Sequence, residues 1–586
     1  MIKLIKKLPG RDWGYVCISF ALIVVQIWLD MTMPQYMNRI TVLIETPGSE
    51  MPEVWQAGGM MLLCSLGSVT ASVITAILSA RVGSDLGFTL RRELFTKVQS
   101  FSMEEIGNFS TASLITRSTN DIQQVLMFLI MGLQMLIKAP LTAIWAITKI
   151  SGQEWQWSLA TAIGVLIVVC VVSICIALTL PKAKKMPKLT DDLNRVTREN
   201  LNGLKVVRAY NAEAYQEDKF ETANDALTRT QLFQQRTMAF MMPTMMLVQS
   251  ALMLSVYWLG AALLGGVNSP EGRITLFGNM MVFSQYGLMI VMSFMMLVMP
   301  LMMLPRASVA AKRINEVLDT VPAIQDGTTT EGKPGVTGEV EFRNVSFSYP
   351  DAEEEVLHDI SFTAKKGETV ALIGSTGCGK STVINLVPRF YDATSGEVLV
   401  DGVNVKEYGQ HALRNKIAYI SQNAILFTGT IASNIAYGEN GKPAPSQAEI
   451  SDAADTAQAS EFIESLPEKY DDYVAQGGTN FSGGQKQRLS IARAVARKAE
   501  IMIFDDSFSA LDYKTDRALR KALDRKCCDT TRLIVAQRIG TIRDADKIIV
   551  LDEGRMVGIG THEELMRNCE VYQQIALSQL SQEELA

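Results

Sequence analysis

The hydrophobic positions divide this 586-residue chain into two unlike halves. Residues 1–305 contain long charge-poor apolar runs, whereas residues 338–586 alternate short apolar runs with turns and amphipathic stretches. A helix that crosses a bilayer needs about 20 mostly apolar residues. Six runs are long enough, near 14–37, 54–80, 122–148, 155–181, 238–266 and 274–304. Backbone groups in lipid must be satisfied within their own segment, so we expect six membrane-spanning helices.

The connections between these runs predict how the domains are organised. The long connections at 81–121 and 182–237 read as helical, and we expect them to extend the spans into the cytoplasm, where 108–122 and 203–220 could contact a soluble domain. A polar stretch that contains IQDGTTTEGKPG separates the halves and marks a domain boundary. We therefore expect an all-α transmembrane domain at 1–320, a linker at 321–337 and an α/β domain at 338–586.

Charge predicts the orientation in the membrane. Lys and Arg are concentrated before the first run, between the second and third, and between the fourth and fifth, while the other connections carry about one each. By the positive-inside rule, both termini and the long connections face the cytoplasm of a multi-pass plasma-membrane protein. The basic N-terminus leads into an apolar run too long for a signal peptide. The net charge of −6 decides nothing about partners, and we expect no nucleic-acid partner. Eight cysteines without a CxxC pair fit reduced thiols.

Two charged residues lie inside apolar runs, Asp30 in the first and Lys138 in the third. A charge inside the membrane is costly and marks a candidate functional site, although the alternative, that the two pair with each other or with polar groups purely structurally, is the simpler explanation. Of 30 methionines, 15 lie between Met238 and Met303. Flexible Met side chains suit a pathway for varied apolar ligands, and they also suit helix packing in lipid.

The second half contains a phosphate-binding motif. An apolar strand leads into GSTGCGKS, which matches G-x-x-x-x-G-K-[ST], and a helix follows. Glycines let backbone N–H groups turn toward phosphate oxygens, Lys380 reaches the β- and γ-phosphates, and the Ser381 hydroxyl is a Mg²⁺ ligand. The expected ATP-binding residues are Gly374, Ser375, Thr376, Gly377, Cys378, Gly379, Lys380, Ser381 and Thr382.

Two further stretches complete the pattern. IMIFD, residues 501–505, is a buried strand that ends in Asp505, which we expect to hold the magnesium ion of ATP. FSGGQKQR, residues 481–488, places a serine and two glycines at the start of a helix. That arrangement can form a second phosphate-binding surface. Taken alone, it would read as an ordinary helix cap.

The order and spacing of GSTGCGKS, FSGGQKQR and IMIFDDS resemble an ATP-binding-cassette (ABC) protein. With six preceding spans, nearly the whole chain resembles an ABC exporter half-transporter. The resemblance implies a six-helix transmembrane domain with long cytoplasmic helical extensions, followed by an α/β P-loop ATP-binding-cassette domain. It also implies that two such chains enclose two ATP molecules, each between one chain's phosphate loop and the other chain's signature.

The resemblance assigns further residues. Tyr349, in FSYP, matches the aromatic residue that stacks on adenine, and Gln422, in ISQNAILF, matches the glutamine that contacts Mg²⁺ and relays to the membrane domain. The signature that closes on the partner's ATP corresponds to Phe481, Ser482, Gly483, Gly484 and Gln485. The loop that crosses the dimer interface corresponds to Ser509, Ala510, Leu511 and Asp512.

Two positions depart from the family pattern. Asp506 stands where the family has a catalytic glutamate, and Gln537, in IVAQR, stands where it has a histidine that contacts the γ-phosphate. Aspartate is one methylene shorter, so its carboxylate falls roughly 1 Å short of the attacking water, a misplacement that can cost about a hundredfold in rate. Glutamine cannot take up a proton and become cationic.

Together the departures resemble the degenerate subunit of a heterodimeric exporter whose partner half-transporter carries the glutamate and histidine. The expected substrates are small apolar or amphipathic molecules, as in multidrug efflux. Two alternatives remain open: uptake of a metal-chelator complex by an exporter-fold heterodimer, and a nucleotide-gated regulator or channel with little turnover. An intact signature argues against the last, because it would serve a partner's active site.

Overall fold

The computed structural model describes residues 1–46, 50–151, 154–350, 352 and 354–579. Their contacts form two compact units. The first, here called the membrane unit, comprises Met1–Gln99 and Thr111–Thr320. The second, the α/β unit, comprises Ser100–Ser110 and Val321–Ala586.

The membrane unit is built from helices. They are α1 Ile2–Ile5, α2 Gly10–Glu45, α3 Met51–Gln99, α5 Thr111–Thr116, α6 Ile122–Ile150, α7 Trp155–Asn202, α8 Leu204–Ala209, α9 Glu213–Ala239, α10 Met241–Gly265 and α11 Pro270–Asp319, with a π-helical turn at Arg117–Asp121 joining α5 to α6. Within the described residues, six helical stretches are long and apolar enough to span a membrane. The predicted six-span transmembrane domain is confirmed.

The helices run beyond the apolar stretches that predicted them. The second apolar run ends near residue 80, but α3 continues to Gln99, and α7 continues from its apolar start to Asn202. The added residues include many Arg and Lys, which form helices well but are too polar for a membrane segment. The expected helical extensions are therefore present.

The packing of the membrane unit depends on close contacts between helices. The Trp157 ring on α7 lies 5.5 Å from that of Phe283 on α11, and both residues are fully buried. Gly260 lets α10 approach α11, because a Cβ at that position would lie 2.4 Å from Met280 Sδ. Small residues at helix contacts are the usual means of tight packing in lipid.

The α/β unit contains twelve strands within the described residues. They are β1 Val340–Phe347, β2 Leu357–Ala364, β3 Thr369–Gly374, β4 Ser395–Val400, β5 Val403–Asn404, β6 Ile417–Ile420, β7 Gly429–Thr430, β8 Tyr473–Val474, β9 Ile501–Asp505, β10 Thr531–Val535, β11 Lys547–Asp552 and β12 Arg555–Gly560. Its helices are α4 Met103–Phe109, α12 Lys380–Leu386, α13 Gln410–Asn415, α14 Ile431–Ile435, α15 Gln447–Thr456, α16 Ser460–Glu464, α17 Gly483–Ala496, α18 Tyr513–Lys526, α19 Ile539–Ile542, α20 His562–Asn568 and α21 Glu570–Gln579.

The strand order explains why distant motifs meet. The larger sheet has the order β12-β11-β3-β10-β9-β6, in which β11, β3, β10, β9 and β6 are parallel and β12 is antiparallel. Parallel strands end at the same edge, so the loops after β3, β9, β10 and β6 converge there. A separate antiparallel sheet, β2-β1-β4-β5, shares a hydrophobic core with one face of the larger sheet.

A short segment from the first half of the chain belongs to the α/β unit. Ser102 and Glu105 form a capping box that starts α4. Glu105 Oε1 also accepts a hydrogen bond of 2.8 Å from the backbone N–H of Ala323. Residues 100–110 are therefore held to the start of the α/β segment, although more than 200 residues separate Glu105 from Ala323.

Candidate active site

The phosphate loop connects β3 to α12 in the middle of the parallel sheet. Its glycines are required by geometry at two points. Gly377 has a φ of 87° with open space around it, and Gly379, with a φ of 94°, would bring a Cβ within 2.6 Å of Leu357 Cδ2. Only glycine adopts such a backbone without strain. Ser375, Thr376 and Gly377 are exposed on the outer side of the loop.

Lys380 and Ser381 point to the carboxyl edge of the sheet. Lys380 Nζ donates hydrogen bonds of 2.9 and 2.7 Å to the carbonyls of Gly374 and Ser375, and it lies 3.6 Å from the buried Cys378 Sγ. Ser381 Oγ donates a 2.7 Å hydrogen bond to Asp505 Oδ1. The loop and the aspartate at the end of β9 therefore form one site, across 124 residues of sequence.

The donor set of this site fits magnesium. Mg²⁺ is held by few protein oxygens and usually keeps several waters or phosphate oxygens. Ser381 Oγ and Asp505 Oδ1 are such oxygens, and their 2.7 Å separation shows that both face the same point. Among the described residues there is no cluster of three or more His, Cys, Asp or Glu, so the nucleotide would supply the other ligands.

Asp506 is tied to two side-chain amides. Its backbone has a φ of 46°, which is uncommon for a residue with a side chain. Asp506 Oδ2 accepts a 2.7 Å hydrogen bond from Gln537 Nε2 and a 3.3 Å hydrogen bond from Gln422 Nε2. Burial, followed by the neighbouring Asp505 charge, raises the pKa of Asp506 against the opposing hydrogen bond from Gln422. The structure thus brings both departures from the family pattern into direct contact.

Tyr349 lies at the other side of the phosphate loop. Its ring is half-buried and packs edge-on against Phe347 and Tyr391, at centroid distances of 4.9 and 5.3 Å. Tyr349 Oη lies 3.1 Å from Thr382 Oγ1 on α12, within hydrogen-bond distance. A ring fixed in this way next to the loop is suited to stack on the base of a nucleotide.

The signature residues start α17. Ser482 Oγ accepts a 3.3 Å hydrogen bond from Gln485 N, and Gln485 Oε1 accepts one of 2.9 Å from Ser482 N, so the two residues form a capping box. Ser482 and Gly483 are exposed, while Phe481 is buried against Phe462 at 6.4 Å between centroids. The Phe481 ring therefore fills space in the local core, and the start of α17 remains exposed.

The interface loop at 509–512 lies beside the signature. A Cβ at Gly484 would lie 3.3 Å from the Ala510 carbonyl oxygen. Asp512 caps α18 by accepting a 2.9 Å hydrogen bond from Thr515 N, and this bond is the main reason that the pKa of Asp512 lies below its usual value. Ser509 and Ala510 are exposed, whereas Leu511 is buried. Signature and loop form one continuous surface.

Sequence reasoning missed two residues that position this site. Tyr419 Oη on β6 lies 3.1 Å from Asp505 Oδ2 and 3.0 Å from Asn385 Oδ1. Gln579, at the end of α21, accepts from Ile539 N at 2.9 Å and donates to the Gln537 carbonyl at 2.7 Å. Tyr419 could have been suspected, because it lies three residues before Gln422, which the resemblance assigns to the magnesium site. Nothing in the sequence indicates Gln579.

The two intramembrane charges meet in the membrane unit. Lys138 Nζ on α6 lies 3.6 Å from Asp30 Oδ2 on α2. Ser68 Oγ on α3 donates to Asp30 Oδ1. The side chains of Asp30 and Lys138 are each about four-fifths buried, with 21% and 24% exposed. The pair thus joins three spans.

Comparison with known proteins agrees with both units. The family model for the ABC transporter transmembrane region matches residues 16–286, and the ABC transporter model matches residues 357–509. A solved structure of a bacterial Atm1-family ABC exporter with ATP bound superimposes with a TM-score of 0.79 at 25% identity. That alignment covers 97% of this chain and 98% of the exporter.

Curated relatives match over most of their lengths. An uncharacterized ABC transporter ATP-binding protein of Mycobacterium tuberculosis strain H37Rv is 39% identical over 522 residues, which is 89% of this chain and 87% of the relative. The ATP-dependent lipid A-core flippase of Pseudomonas putida is 34% identical over 495 residues, which is 83% of this chain and 79% of the flippase. The chain therefore belongs to the ABC transporter family, as a half-transporter with the fold of an ATP-driven exporter.

Proposed function

We propose that this chain is the degenerate-site subunit of a heterodimeric exporter in the plasma membrane. Its partner is a second half-transporter that carries the catalytic glutamate and the switch histidine. This chain's own site, at Lys380, Asp505, Asp506 and Gln537, binds ATP and turns it over slowly. Its signature, at Ser482, completes the partner's site.

The contact between Asp506 and Gln537 carries this proposal. A catalytic base needs a carboxylate oxygen free to accept a proton from water, within about 2.6–3.2 Å. Asp506 Oδ2 instead accepts from the amides of Gln537 and Gln422 at 2.7 and 3.3 Å. The same amide that stands in place of the histidine thus holds one oxygen of the carboxylate that stands in place of the glutamate, and it fixes the direction in which the other oxygen points.

The short side chain of Asp506, and not the basicity of its carboxylate, limits how well it can act as a catalytic base. Burial raises the pKa of its carboxyl group, which makes the ionised form a stronger base than an ordinary aspartate. The side chain is one methylene shorter than glutamate, and its 8% exposure leaves it little access to a water on the phosphate side. An error of about 1 Å in the position of a base can cost about a hundredfold in rate.

The other residues of the site bind the parts of the nucleotide and its metal ion. Lys380 and the backbone of the phosphate loop bind the β- and γ-phosphates, and the Tyr349 ring orients the base. Ser381, Asp505 and Gln422 hold the magnesium ion that accompanies ATP. When bound, this ion neutralises charge on the phosphate oxygens. Gln422 also donates a hydrogen bond to the Asp506 carboxylate, so a movement of the loop that carries Gln422 would shift the Asp506 side chain.

We propose small apolar or amphipathic molecules as substrates. The fifth and sixth spans carry methionines on exposed surfaces, including Met242, Met246, Met253 and Met299, whose exposed fractions lie between 46% and 64%. Flexible, polarizable Met side chains adapt to ligands of different shape. The Pseudomonas relative is named as a flippase of lipid A-core, which is an amphipathic lipid. An amphipathic substrate class is therefore consistent with both observations.

The test compares the chain alone with the complex that it forms in its native membrane. We expect the purified chain alone to hydrolyse ATP at well below about 1 per second, the lower end of ordinary enzyme turnover. The complex with its co-purifying half-transporter should exceed that rate at least tenfold. Full activity in the chain alone would contradict the heterodimer.

A further inference from the structure

The membrane unit contains a polar cavity that ATP hydrolysis does not use. Its volume is about 120 Å³, and it lies between α2, α3, α6 and α11. The polar residues that line it are Gln26, Ser72, Thr75, Gln134 and Lys138. Such a concentration of polar groups within apolar spans is costly to maintain and indicates a function.

Several of these polar groups have no partner among the described residues. Thr75 is 3% exposed, and its hydroxyl makes no hydrogen bond within the described part of the chain. The side-chain amides of Gln26 and Gln134 likewise make none there. A structural ion pair accounts for Asp30 and Lys138, but it leaves these three groups unexplained. An unpaired buried hydroxyl or amide costs about 1–3 kcal/mol unless something binds it.

The charge balance indicates what binds. Asp30 has both oxygens engaged, one by Ser68 and the other facing Lys138 at 3.6 Å. The Lys138 ammonium has three N–H donors, of which Asp30 uses one. Lys138 is the only charged residue among the described residues that line the cavity, and the amide N–H groups of Gln26 and Gln134 and the Thr75 hydroxyl can add further donors. An anionic group rich in acceptors pairs with these donors, whereas a cation would oppose Lys138.

The size and the polar lining of the cavity favour a headgroup. A cavity of about 120 Å³ has room for a phosphate or carboxylate group, and its mostly polar lining disfavours an alkyl chain, which would leave those polar groups unpaired. Met135 and Met296 border the same cavity and offer an adaptable apolar surface where a chain could begin. We propose that this cavity binds the anionic headgroup, phosphate or carboxylate, of an amphipathic molecule, with the tail outside it. This deepens the proposed function, on which it rests for the view that such molecules are substrates.

The experiment measures binding without ATP turnover. The full chain is reconstituted in phosphatidylcholine nanodiscs and titrated with radiolabelled dodecyl phosphate or dodecyltrimethylammonium, which share a tail. We expect Thr75→Val and Gln134→Leu each to weaken dodecyl phosphate binding about tenfold, the effect of losing one hydrogen bond to a charged group. Binding of dodecyltrimethylammonium should stay within twofold of the wild type.

Controls separate this effect from damage to the fold. Thr70 lies on the same helix, is exposed, and bonds the Leu66 carbonyl, so Thr70→Val should change neither titration. Thr75→Ser keeps the hydroxyl and should retain binding. Retained binding of dodecyltrimethylammonium shows that the membrane unit of each variant is folded. Equal losses for both probes, or no loss with either variant, would overturn the proposal.

A second arm identifies the source of the headgroup. Nanodiscs that contain phosphatidylglycerol offer an anionic bilayer lipid in large excess. If this lipid displaces dodecyl phosphate from the wild type, the cavity holds a resident lipid headgroup. If it does not, the cavity selects a soluble amphiphile, as expected for a substrate. Because no step requires hydrolysis, a chain that failed the heterodimer test would still give a clear answer here.

Discussion

Two surfaces of the α/β unit carry phosphate-binding motifs, and they differ in how complete they are. At the phosphate loop, the polar side chains bond one another: Lys380 to the loop carbonyls, Ser381 to Asp505, and Gln537 to Asp506. At the signature, Ser482 is exposed, and among the described residues its hydrogen bonds stay within its own helix cap. The first surface is organised within this chain, and in the proposed heterodimer the second is completed by the partner.

The difference explains how one chain can hold two unequal roles. Substitutions at Asp506 and Gln537 alter the organised site alone, because both side chains point into it. The signature surface keeps the serine, both glycines and the adjacent loop at Ser509 and Ala510. A chain can therefore lose its own hydrolysis and still serve its partner fully. The predictions below test this separation, from the largest expected effect to the smallest.

Ser482→Arg should have the largest effect. It places a bulky charged side chain at the surface that closes on the partner's ATP, and hydrolysis by the assembled complex should fall by about a hundredfold or more, as when a group that stabilises the transition state is lost. The matched control is Ser446→Arg, because Ser446 forms the same capping box with Glu449 on α15. ATPase assays on the two complexes decide the matter, and equal losses would contradict a role for the signature.

Asp506→Glu combined with Gln537→His should have the next largest effect. In the chain alone, the longer glutamate and the titratable histidine should raise the rate of ATP hydrolysis by up to about a hundredfold, the loss that about 1 Å of misplacement can cause. Each single variant is a control, since either one leaves the other defect in place. If the double variant hydrolyses ATP no faster than the parent, the two residues are not what limits the site.

The sequence predicted the parts of the molecule that depend on local pattern. Apolar runs gave the six spans, and the phosphate loop with Asp505 could be paired because parallel strands end at one edge. The ends of the helices were harder to predict: the helical extension of the second span was expected, but the residue at which α3 ends, Gln99, was not.

Other features depend on contacts between distant residues. Glu105 reaches Ala323 across 218 positions, and this contact ties residues 100–110 to the α/β unit. The two hydrogen bonds to Asp506 Oδ2 and the role of Gln579 depend on where the side chains lie to within a few tenths of an ångström. No periodicity or spacing carries that information, so these features required the structure.

Tyr419→Phe should have a moderate and specific effect. Burial, together with the nearby Asp505 charge, raises the pKa of the Tyr419 phenol, so it remains a neutral donor at physiological pH. A hydroxyl has one proton, which it shares between Asp505 and Asn385. Losing it should free the Asp505 carboxylate to rotate and should raise the Mg²⁺ concentration for half-maximal ATP binding about three- to tenfold.

The measurement is a Mg²⁺ titration of fluorescent-ATP binding to the chain, with ATP affinity in the absence of Mg²⁺ measured in parallel. Tyr470→Phe is the control, because this buried tyrosine also loses one hydroxyl contact, to Ser451, away from the site. A role limited to packing would shift both ATP affinities together or neither. Only a change confined to the Mg²⁺ titration supports the positioning of Asp505.

Asp506→Ala should have the smallest effect, within about twofold on hydrolysis by the assembled complex. The carboxylate that it removes has one oxygen held by two amides, and under the proposed function its short side chain does not reach the attacking water. The matched control is the same change at the partner's glutamate, which should stop hydrolysis almost completely. ATPase rates of the two complexes, at equal ATP affinity, measure the contrast directly. If Asp506→Ala were the more damaging change, this chain's own site would drive transport, and the unequal roles of the two surfaces would have to be reversed.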